Sequence, residues 1–347
     1  MYKTKIIDLD SELESEITQE LWVQNLGSAS NFDKKFRWLY QNNPAGHAYI
    51  WHLIHEESEQ AIGVQGISPR RFSGPDEMKA GLVADFAVNK DHRTLGPSLK
   101  LLKQANLKGL DDFDFLYGFP NKKAQPVFKR ANYQIASDMV RYAKPIKSLR
   151  IVSKKCRGIT TRILPKVIDL IIYSYDLFHA VRYGYNISHE YIQSTNESFD
   201  ELWDRRNLPD NMVIGERNQL FLHWRFELSG QKDFKYFVVK QAGTKEVLGY
   251  VVFYIEDNVC CVADFFAKTL DKELKILFAR FFMSIRHYSV DSISLEFKGS
   301  ATVHHLLQSL GFRARSSRAM FYAVSPKSQN QLNDFDLFIT SSDEDSF

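Results

Sequence analysis

The pattern of apolar and polar positions occurs twice along the chain. Residues 83–133 and 262–312 can be laid over each other without gaps, and both start with Val-Ala-Asp-Phe. Each stretch begins with an apolar run, continues with apolar positions at i, i+3 and i+4, enters a second apolar run and ends in another helical pattern. The sequence therefore predicts the order strand, helix, strand, helix in both stretches.

The segments ahead of these two stretches also correspond. Trp38 and Trp224 stand in matching places, and each precedes a strand-like run, over residues 48–56 and 235–243. Agreement over so many positions favours duplication of one unit over the general likeness of any two α/β units. We therefore expect two domains of the α+β or α/β class, residues 1–142 and residues 191–325.

Residues 143–190 join the two domains, and their charge is one-sided. Eight basic residues lie between Lys144 and Lys166 with no acid among them, and an apolar helical pattern follows over residues 163–184. Pro165 falls near the first turn of that pattern, where proline is tolerated. The first interpretation is a connecting helix packed between the domains. The second is a membrane-surface contact through residues 144–182, because basic clusters beside apolar helices suit anionic lipid headgroups.

Composition narrows the class of protein. The chain has 347 residues, of which 44% are hydrophobic, and a net charge of +3 is too small to indicate a nucleic-acid partner. Neither a secretory signal nor a membrane-spanning run is visible, and the three cysteines show no metal-ligand spacing. Cys260 and Cys261 fit buried positions in a reducing compartment. We expect a cytoplasmic protein without a metal site.

Only the first stretch carries a turn suited to an anion. Arg93, Gly96 and Ser98 stand between a predicted strand and a predicted helix. Backbone N–H groups at such a turn, with the positive end of the helix dipole, suit a pyrophosphate, and glycine allows its close approach. In the second stretch the matching positions hold Lys272, Leu274, Lys275 and Leu277, and Glu273 adds negative charge. We therefore predict that only the first domain binds an anion.

The residues around this turn carry a resemblance. The run "FAVNKDHRTLGPSLKLL", the strand "FDFLYGFPN" and the segment "NKKAQPVFKRANY" together resemble the acetyl-CoA-binding core of the GNAT superfamily of N-acetyltransferases. Two such domains in one chain are similar to tandem GNAT proteins associated with bacterial cell-surface polysaccharide synthesis. The resemblance implies two tandem GNAT-like domains, each a mixed, mostly antiparallel sheet flanked by helices. It also implies acetyl-CoA or another acyl-CoA as cosubstrate.

The same resemblance implies residue roles. Strand backbone at Phe86, Ala87 and Val88 would pair with the pantetheine, and Asn121 would contact the cofactor from the opposite side. The turn backbone would wrap the pyrophosphate through Arg93, Thr94, Leu95, Gly96 and Ser98. Two departures stand out: Pro97 removes one N–H donor, and Phe128 occupies the position where many family members carry a tyrosine general acid. Leu307 matches Phe128 in the second domain.

The remaining candidate functional residues are aspartates. Asp85 is the predicted general base, because it lies on the strand beside the implied thioester and burial would raise its pKa. Asp264 holds the matching place in the second domain, so a structural role for both stays open. The tail, residues 326–347, is polar except for an apolar cluster around Leu337. We expect that cluster to dock, bringing Asp343 and Asp345 towards the acceptor as substrate-binding residues.

These observations lead to an expected activity with two alternatives. We expect direct transfer of an acyl group from acyl-CoA to the amine of an amino sugar or another small amine, without nucleic acid or a metal. One alternative is a Fem-type aminoacyl transferase, which also pairs two GNAT-like domains. The other is a non-catalytic binding or scaffold protein, which Phe128 favours and the Arg93 turn does not.

Overall fold

The first copy of the repeated unit contains six strands, which belong to a sheet flanked by helices. The computed structural model describes residues 1–27, 31–154, 160–184, 186–328 and 336–345, apart from the side chains of residues 160 and 161. In chain order, the elements of the first copy are β1 (Tyr2–Ile6), α1 (Glu12–Leu26), α2 (Phe32–Phe36), a π-helical turn (Arg37–Gln41), β2 (Tyr49–His55), β3 (Gln60–Ser73), β4 (Glu77–Val88), a 3₁₀ turn (Lys90–His92), α3 (Leu95–Asp112), β5 (Phe115–Gly118), α4 (Gln125–Arg130) and β6 (Gln134–Pro145).

Two connecting helices, α5 (Leu149–Val152) and α6 (Thr160–Tyr183), lead into the second copy. Its elements are β7 (Ile187–Ile192), α7 (Ser198–Asp204), β8 (Met212–Gly215), α8 (Gln219–Leu222), a π-helical turn (His223–Glu227), β9 (Lys235–Gln241), β10 (Val247–Glu256), β11 (Val259–Ala267), α9 (Lys272–Ser284), a 3₁₀ turn (Ile285–His287), β12 (Ser292–Lys298), α10 (Ala301–Ser309) and β13 (Arg313–Val324). The tail adds β14 (Asp336–Thr340) and a 3₁₀ turn (Ser341–Asp343). From the matching tryptophan onward, strands and α-helices follow the same order in both copies, as the sequence predicts, whereas the 3₁₀ turn precedes α3 in the first copy and follows α9 in the second.

The two copies share one continuous sheet and exchange their last strands. Its strands follow the order β1-β2-β3-β4-β5-β13-β6-β12-β11-β10-β9-β7. Strand β13 of the second copy pairs with β5 of the first, and β6 of the first copy pairs with β12 of the second. The expected boundaries at residues 142 and 190 both fall inside strands, β6 and β7. Each copy therefore completes the sheet of the other.

A tryptophan pair lies where the copies meet. Trp38 and Trp224 stack with ring centroids 5.0 Å apart and planes 24° apart. Each indole nitrogen donates a hydrogen bond to the backbone carbonyl of the other tryptophan, at 2.8 Å and 3.0 Å. Each lies within the π-helical turn of its own copy. This reciprocal contact is the kind that a pseudo-two-fold axis produces.

The parallel strands at the centre of each copy pair only at one end. Strands β4 and β5 pair over Ala80–Leu82 and then diverge. Strands β11 and β12 pair over Val259–Val262, and beyond that point β12 pairs with the tail strand β14. Phe338 of β14 is fully buried between Phe265 and Phe297. The tail therefore fills the divergence in the second copy, as an apolar segment too costly to leave in water would.

A buried ionic cluster fastens the tail to both copies. Arg217 donates to Asp343 at 2.6 Å and to Asp264 at 3.3 Å, and Arg70 of β3 donates to the other oxygen of Asp343 at 3.0 Å. All four side chains are at least nine-tenths buried. The expected docking of the apolar tail cluster is seen at Leu337, Phe338 and Ile339; Phe335 lies outside the described residues.

Candidate acyl-CoA site

The N-terminus of α3 offers unpartnered backbone donors. Thr94 stands at the N-cap position without a capping hydrogen bond from its side chain, so the first N–H groups of the helix have no partner within it. A Cβ built on Gly96 would meet no atom within 4 Å. The exposed turn thus has backbone donors and open space of the kind that suits an anion.

The Arg93 side chain forms hydrogen bonds that hold the turn in place. Its Nε donates to the carbonyl of Val88 at 2.9 Å, and its Nη2 donates to Asn25 Oδ1 at 3.0 Å. These bonds tie the turn to the end of β4 and to α1. The guanidinium therefore positions the backbone of the turn, which leaves Leu95 and Gly96 to face a ligand.

The matching helix in the second copy is closed to an anion. The Asp271 carboxylate accepts a hydrogen bond from the backbone N–H of Lys272 at the start of α9. Glu273 lies in the first helical turn and accepts a hydrogen bond from Thr269. The second copy supplies its own carboxylates where α3 has none. The two helix starts therefore differ in capping and in charge.

A cavity of about 330 Å³ lies in the divergence of β4 and β5. Phe86 lines it beside Asp85, and the Phe86 ring meets Phe128 edge-on at 5.9 Å. Asn121 lines the opposite wall; its Oδ1 accepts hydrogen bonds from the backbone N–H groups of Lys123 and Ala124. Past Leu82, β4 pairs with β3 alone, so the structure leaves one backbone edge of the strand facing this space.

Asp85 is buried at a bulge of β4 and has two donors. Lys35 Nζ donates to its Oδ1 at 2.6 Å, and the Tyr40 hydroxyl donates to its Oδ2 at 2.7 Å. Burial raises the pKa of Asp85, while Lys35 and Tyr40 act to lower it. Lys35 also donates to Asp345 at 3.0 Å. Both oxygens of the predicted base are thus occupied by side chains that the sequence analysis did not connect to it.

Asp264 has equivalent donors in the second copy. The Tyr250 hydroxyl donates to it at 2.8 Å, and Arg217 takes the place that Lys35 has beside Asp85. A tyrosine and a cation thus bind the matching aspartate in each copy, with donors taken from different positions of the sequence. This is the pattern that the structural interpretation of the two aspartates predicts.

Phe128 is buried and has no polar atom to offer. Its neighbour Tyr133 is also buried, and its hydroxyl donates to Asn106 Oδ1 at 2.7 Å inside the core. No hydroxyl side chain lines the first-copy cavity among the described residues. The proton that a tyrosine would supply must therefore come from another group or from water.

The tail brings Glu344 to this cavity, and sequence reasoning missed it. Glu344 pairs with Arg318 of β13, which also pairs with Glu296 at 2.6 Å. Burial raises the pKa of Glu344 to about 7, against the lowering by Arg318. A second cavity of about 370 Å³ lies over β11 and β12, and Arg318 and Glu344 line both cavities. The only sequence signal was the acidic end of the tail.

The two tail aspartates have different environments. Asp345 lines the first-copy cavity beside its partner Lys35. Asp343 has no exposed side-chain surface, and its oxygens accept from Arg70, Arg217 and the backbone of Thr340. The structure thus brings Asp345 to the cleft and places Asp343 in the ionic cluster behind it.

Comparisons with known proteins address the fold. No family model and no curated protein matches the sequence. A GCN5-related N-acetyltransferase from Anabaena variabilis aligns with a TM-score of 0.64 at 12% identity, over 94% of this chain and 74% of that one. A tandem GNAT protein from the clavulanic acid biosynthesis pathway aligns with a TM-score of 0.55 at 10% identity, over 94% and 99% of the two chains.

A third solved structure contains a GCN5-related glucosamine N-acetyltransferase region of a fungal multi-domain β-N-acetylglucosaminidase. It aligns with a TM-score of 0.51 at 10% identity, over 93% of this chain and 38% of that one. At such identities the likeness concerns the fold alone. Together with the repeated order of elements and the diverging central strands, it shows that this chain has a tandem GNAT fold.

Proposed function

We propose that the protein is an acyl-CoA-dependent N-acyltransferase that binds its acyl-CoA in the first copy only. One observation carries the proposal: the first copy leaves the divergence of β4 and β5 open and the start of α3 without a side-chain cap, whereas in the second copy β14 pairs with β12 at the matching divergence and Asp271 caps α9. A duplicated fold with one open site fits a division between a binding copy and a supporting copy.

The residues present fit a CoA ester. Leu95 and Gly96 would bind the pyrophosphate through their N–H groups, with open space at Gly96 to receive it. The free edge of β4 from Val83 to Val88 would take the pantetheine amides as an added strand. Asn121 lines the other wall. When bound, acetyl-CoA would supply the acyl group as an activated thioester.

Glu344 is the base in this proposal. It accepts a proton from the acceptor ammonium, and the neutral amine then forms the new C–N bond; as the C–S bond breaks, the nitrogen releases its second proton to solvent, which leaves the neutral amide. The protonated Glu344 can return that proton to the departing sulfur, which compensates for Phe128. Asp85 remains the other candidate base, and Lys35 would first have to leave its carboxylate.

The acceptor in this proposal is an amino sugar, entering through the second cavity. Glu296 and Glu344 suit an ammonium group, and the hydroxyls of Tyr254, Ser294 and Ser341 in the same lining suit sugar hydroxyls. Release of free CoA thiol with glucosamine, but not with aliphatic amines of similar size, is the expected result. Equal rates with both would contradict it.

Calorimetry with acetyl-CoA tests the asymmetry of the copies. Gly96→Glu places a carboxylate at the pyrophosphate position, and we expect affinity to fall by at least about 100-fold. Lys275→Glu is the matched change at the start of α9 and should leave affinity unchanged. Equal losses from both variants would contradict a site in the first copy alone.

One specific observation favours a second candidate, a non-catalytic acyl-CoA-binding protein: the buried Phe128 in place of a hydroxyl. Such a protein would bind acetyl-CoA, lose binding in Gly96→Glu and release no CoA thiol with any amine. A Fem-type aminoacyl transferase would instead carry no acyl-CoA. Mass spectrometry of the freshly purified, denatured protein distinguishes that case.

A further inference from the structure

Helix α6 has its apolar side facing solvent. Its inward side packs on α9 of the second copy, and Asp176 on the same side pairs with Lys144 of β6. The six most outward apolar side chains are between 49% and 71% exposed: Ile163, Val167, Leu170, Ile171, Phe178 and Val181. At 100° per residue these positions fall on one face of a helix.

The acidic groups of the same helix point away from this face. Asp176 is buried and pairs with Lys144 at 2.8 Å and with Arg286. Asp169 accepts a hydrogen bond from the backbone N–H of Ser148 at 2.7 Å. These are the two acids of the helix. Its outward face therefore has no acidic side chain, and the usual arrangement of a surface helix is inverted.

Exposed cations lie on α6 and on the neighbouring α5. The exposed basic side chains of α5, α6 and their flanks are Lys147, Arg150, Lys154, Arg162, Lys166 and Arg182. Within the described part of the chain, none of them forms an ion pair; the Arg182 guanidinium lies over the rings of Phe178 and Tyr183. Lys155 and Arg157, which belong to the same basic run, lie outside the described residues.

We propose that the outward face of α6 docks on an anionic lipid bilayer, lying in the plane of the headgroups. Apolar side chains would enter the acyl boundary while the flanking cations contact lipid phosphates. The helix of 24 residues is about 36 Å long. No helix among the described residues is long and apolar enough to cross a membrane, so the contact is peripheral.

Charge decides between a bilayer and a second copy of the chain. A dimer through α6 would bring Arg162, Lys166 and Arg182 of one protomer against the same residues of the other, with no acid on the outward face of either helix. Such like-charge contact opposes association, whereas an anionic surface gains about 1 kcal/mol per adjacent Lys or Arg. The same charges thus favour lipid phosphates and disfavour self-association.

Co-sedimentation of the full chain with vesicles tests the proposal. We expect binding to phosphatidylcholine–phosphatidylglycerol vesicles, little binding to phosphatidylcholine alone, and release by high salt. Replacing Arg162 and Lys166 by Gln should weaken binding about 25-fold, or about fivefold per charge. The control, Lys3→Gln with Lys79→Gln, removes the same charge from exposed positions of the first copy and should change binding little.

The apolar contribution is tested separately with Leu170→Gln combined with Phe178→Gln. Both side chains are exposed, so the melting temperature should stay at the wild-type value while vesicle binding falls by about two orders of magnitude. Failure of the wild-type chain to bind anionic vesicles would overturn the proposal. So would a dimer in sedimentation equilibrium that this variant converts to monomer.

Discussion

Glu344 shows how burial changes the chemistry of a single residue. It sits against Arg318, yet loss of hydration outweighs that attraction and raises its pKa to about 7. The nearby Glu296 charge acts in the same direction as burial. A carboxyl group in this range is protonated below neutrality and charged above it. It can therefore accept a proton at neutral pH and give it back within one turnover.

The pH profile of kcat/KM tests this role. Because only the charged carboxylate accepts a proton, we expect kcat/KM to rise with unit slope up to about pH 7 and then to level off. Glu344→Gln should lower the plateau by about 10²- to 10⁴-fold and remove the rising limb.

Glu296→Gln is the diagnostic control. It removes a charge that raises the pKa of Glu344, so the limb should move to lower pH. If Asp85→Asn removed the rising limb of the kcat/KM profile while Glu344→Gln kept it, Asp85 would be the base instead.

At the scale of elements, the tail strand β14 is a structural difference between the two copies. It pairs with β12 at Phe297 and Lys298, and with β8 on its other side. It occupies in the second copy the space that the first copy leaves open. In the second copy a segment of the same chain therefore fills the divergence of the central strands, and Asp271 caps the start of α9.

A single substitution measures what the tail contributes. Phe338→Ala removes a fully buried ring between Phe265 and Phe297, and we expect the free energy of unfolding to fall by about 3–5 kcal/mol. Phe178→Ala removes a ring that is 57% exposed and should cost no more than about 0.5 kcal/mol. Urea titration of both variants gives the comparison. Equal small losses would mean that the tail does not contribute to the fold in solution.

At the scale of the whole molecule, strand exchange makes the copies interdependent. Strand β5 of the first copy has β13 as its antiparallel neighbour, and β12 of the second has β6. Neither sheet is complete without a strand from the other half of the chain. The Trp38–Trp224 pair and the Arg70–Asp343–Arg217 cluster cross the same boundary.

We therefore expect one cooperative unfolding transition. Tryptophan fluorescence and far-UV circular dichroism should give the same midpoint in denaturant, because strands of both halves must separate together. Two resolved transitions, one for each copy, would contradict the interdependence that the sheet order implies.

The sequence by itself determined the features that depend on local pattern. Side-chain periodicity and turn residues specify which segments become strands and helices, and these are properties of neighbouring positions. The duplication, the turn at Gly96 and its loss around Lys275 could therefore be predicted. So could the apolar tail cluster, because its composition alone makes exposure costly.

Only the tertiary structure decided which segments meet. Strands β6 and β13 have similar patterns, so periodicity could not show that they exchange places; backbone pairing is nearly independent of side-chain identity. Lys35 reaches Asp85 from 50 positions away, and Glu344 reaches Arg318 only because β14 is anchored. Periodicity likewise marks an apolar face on α6 without saying what covers it. Contacts between distant segments arise from packing the whole chain, and no local pattern contains them.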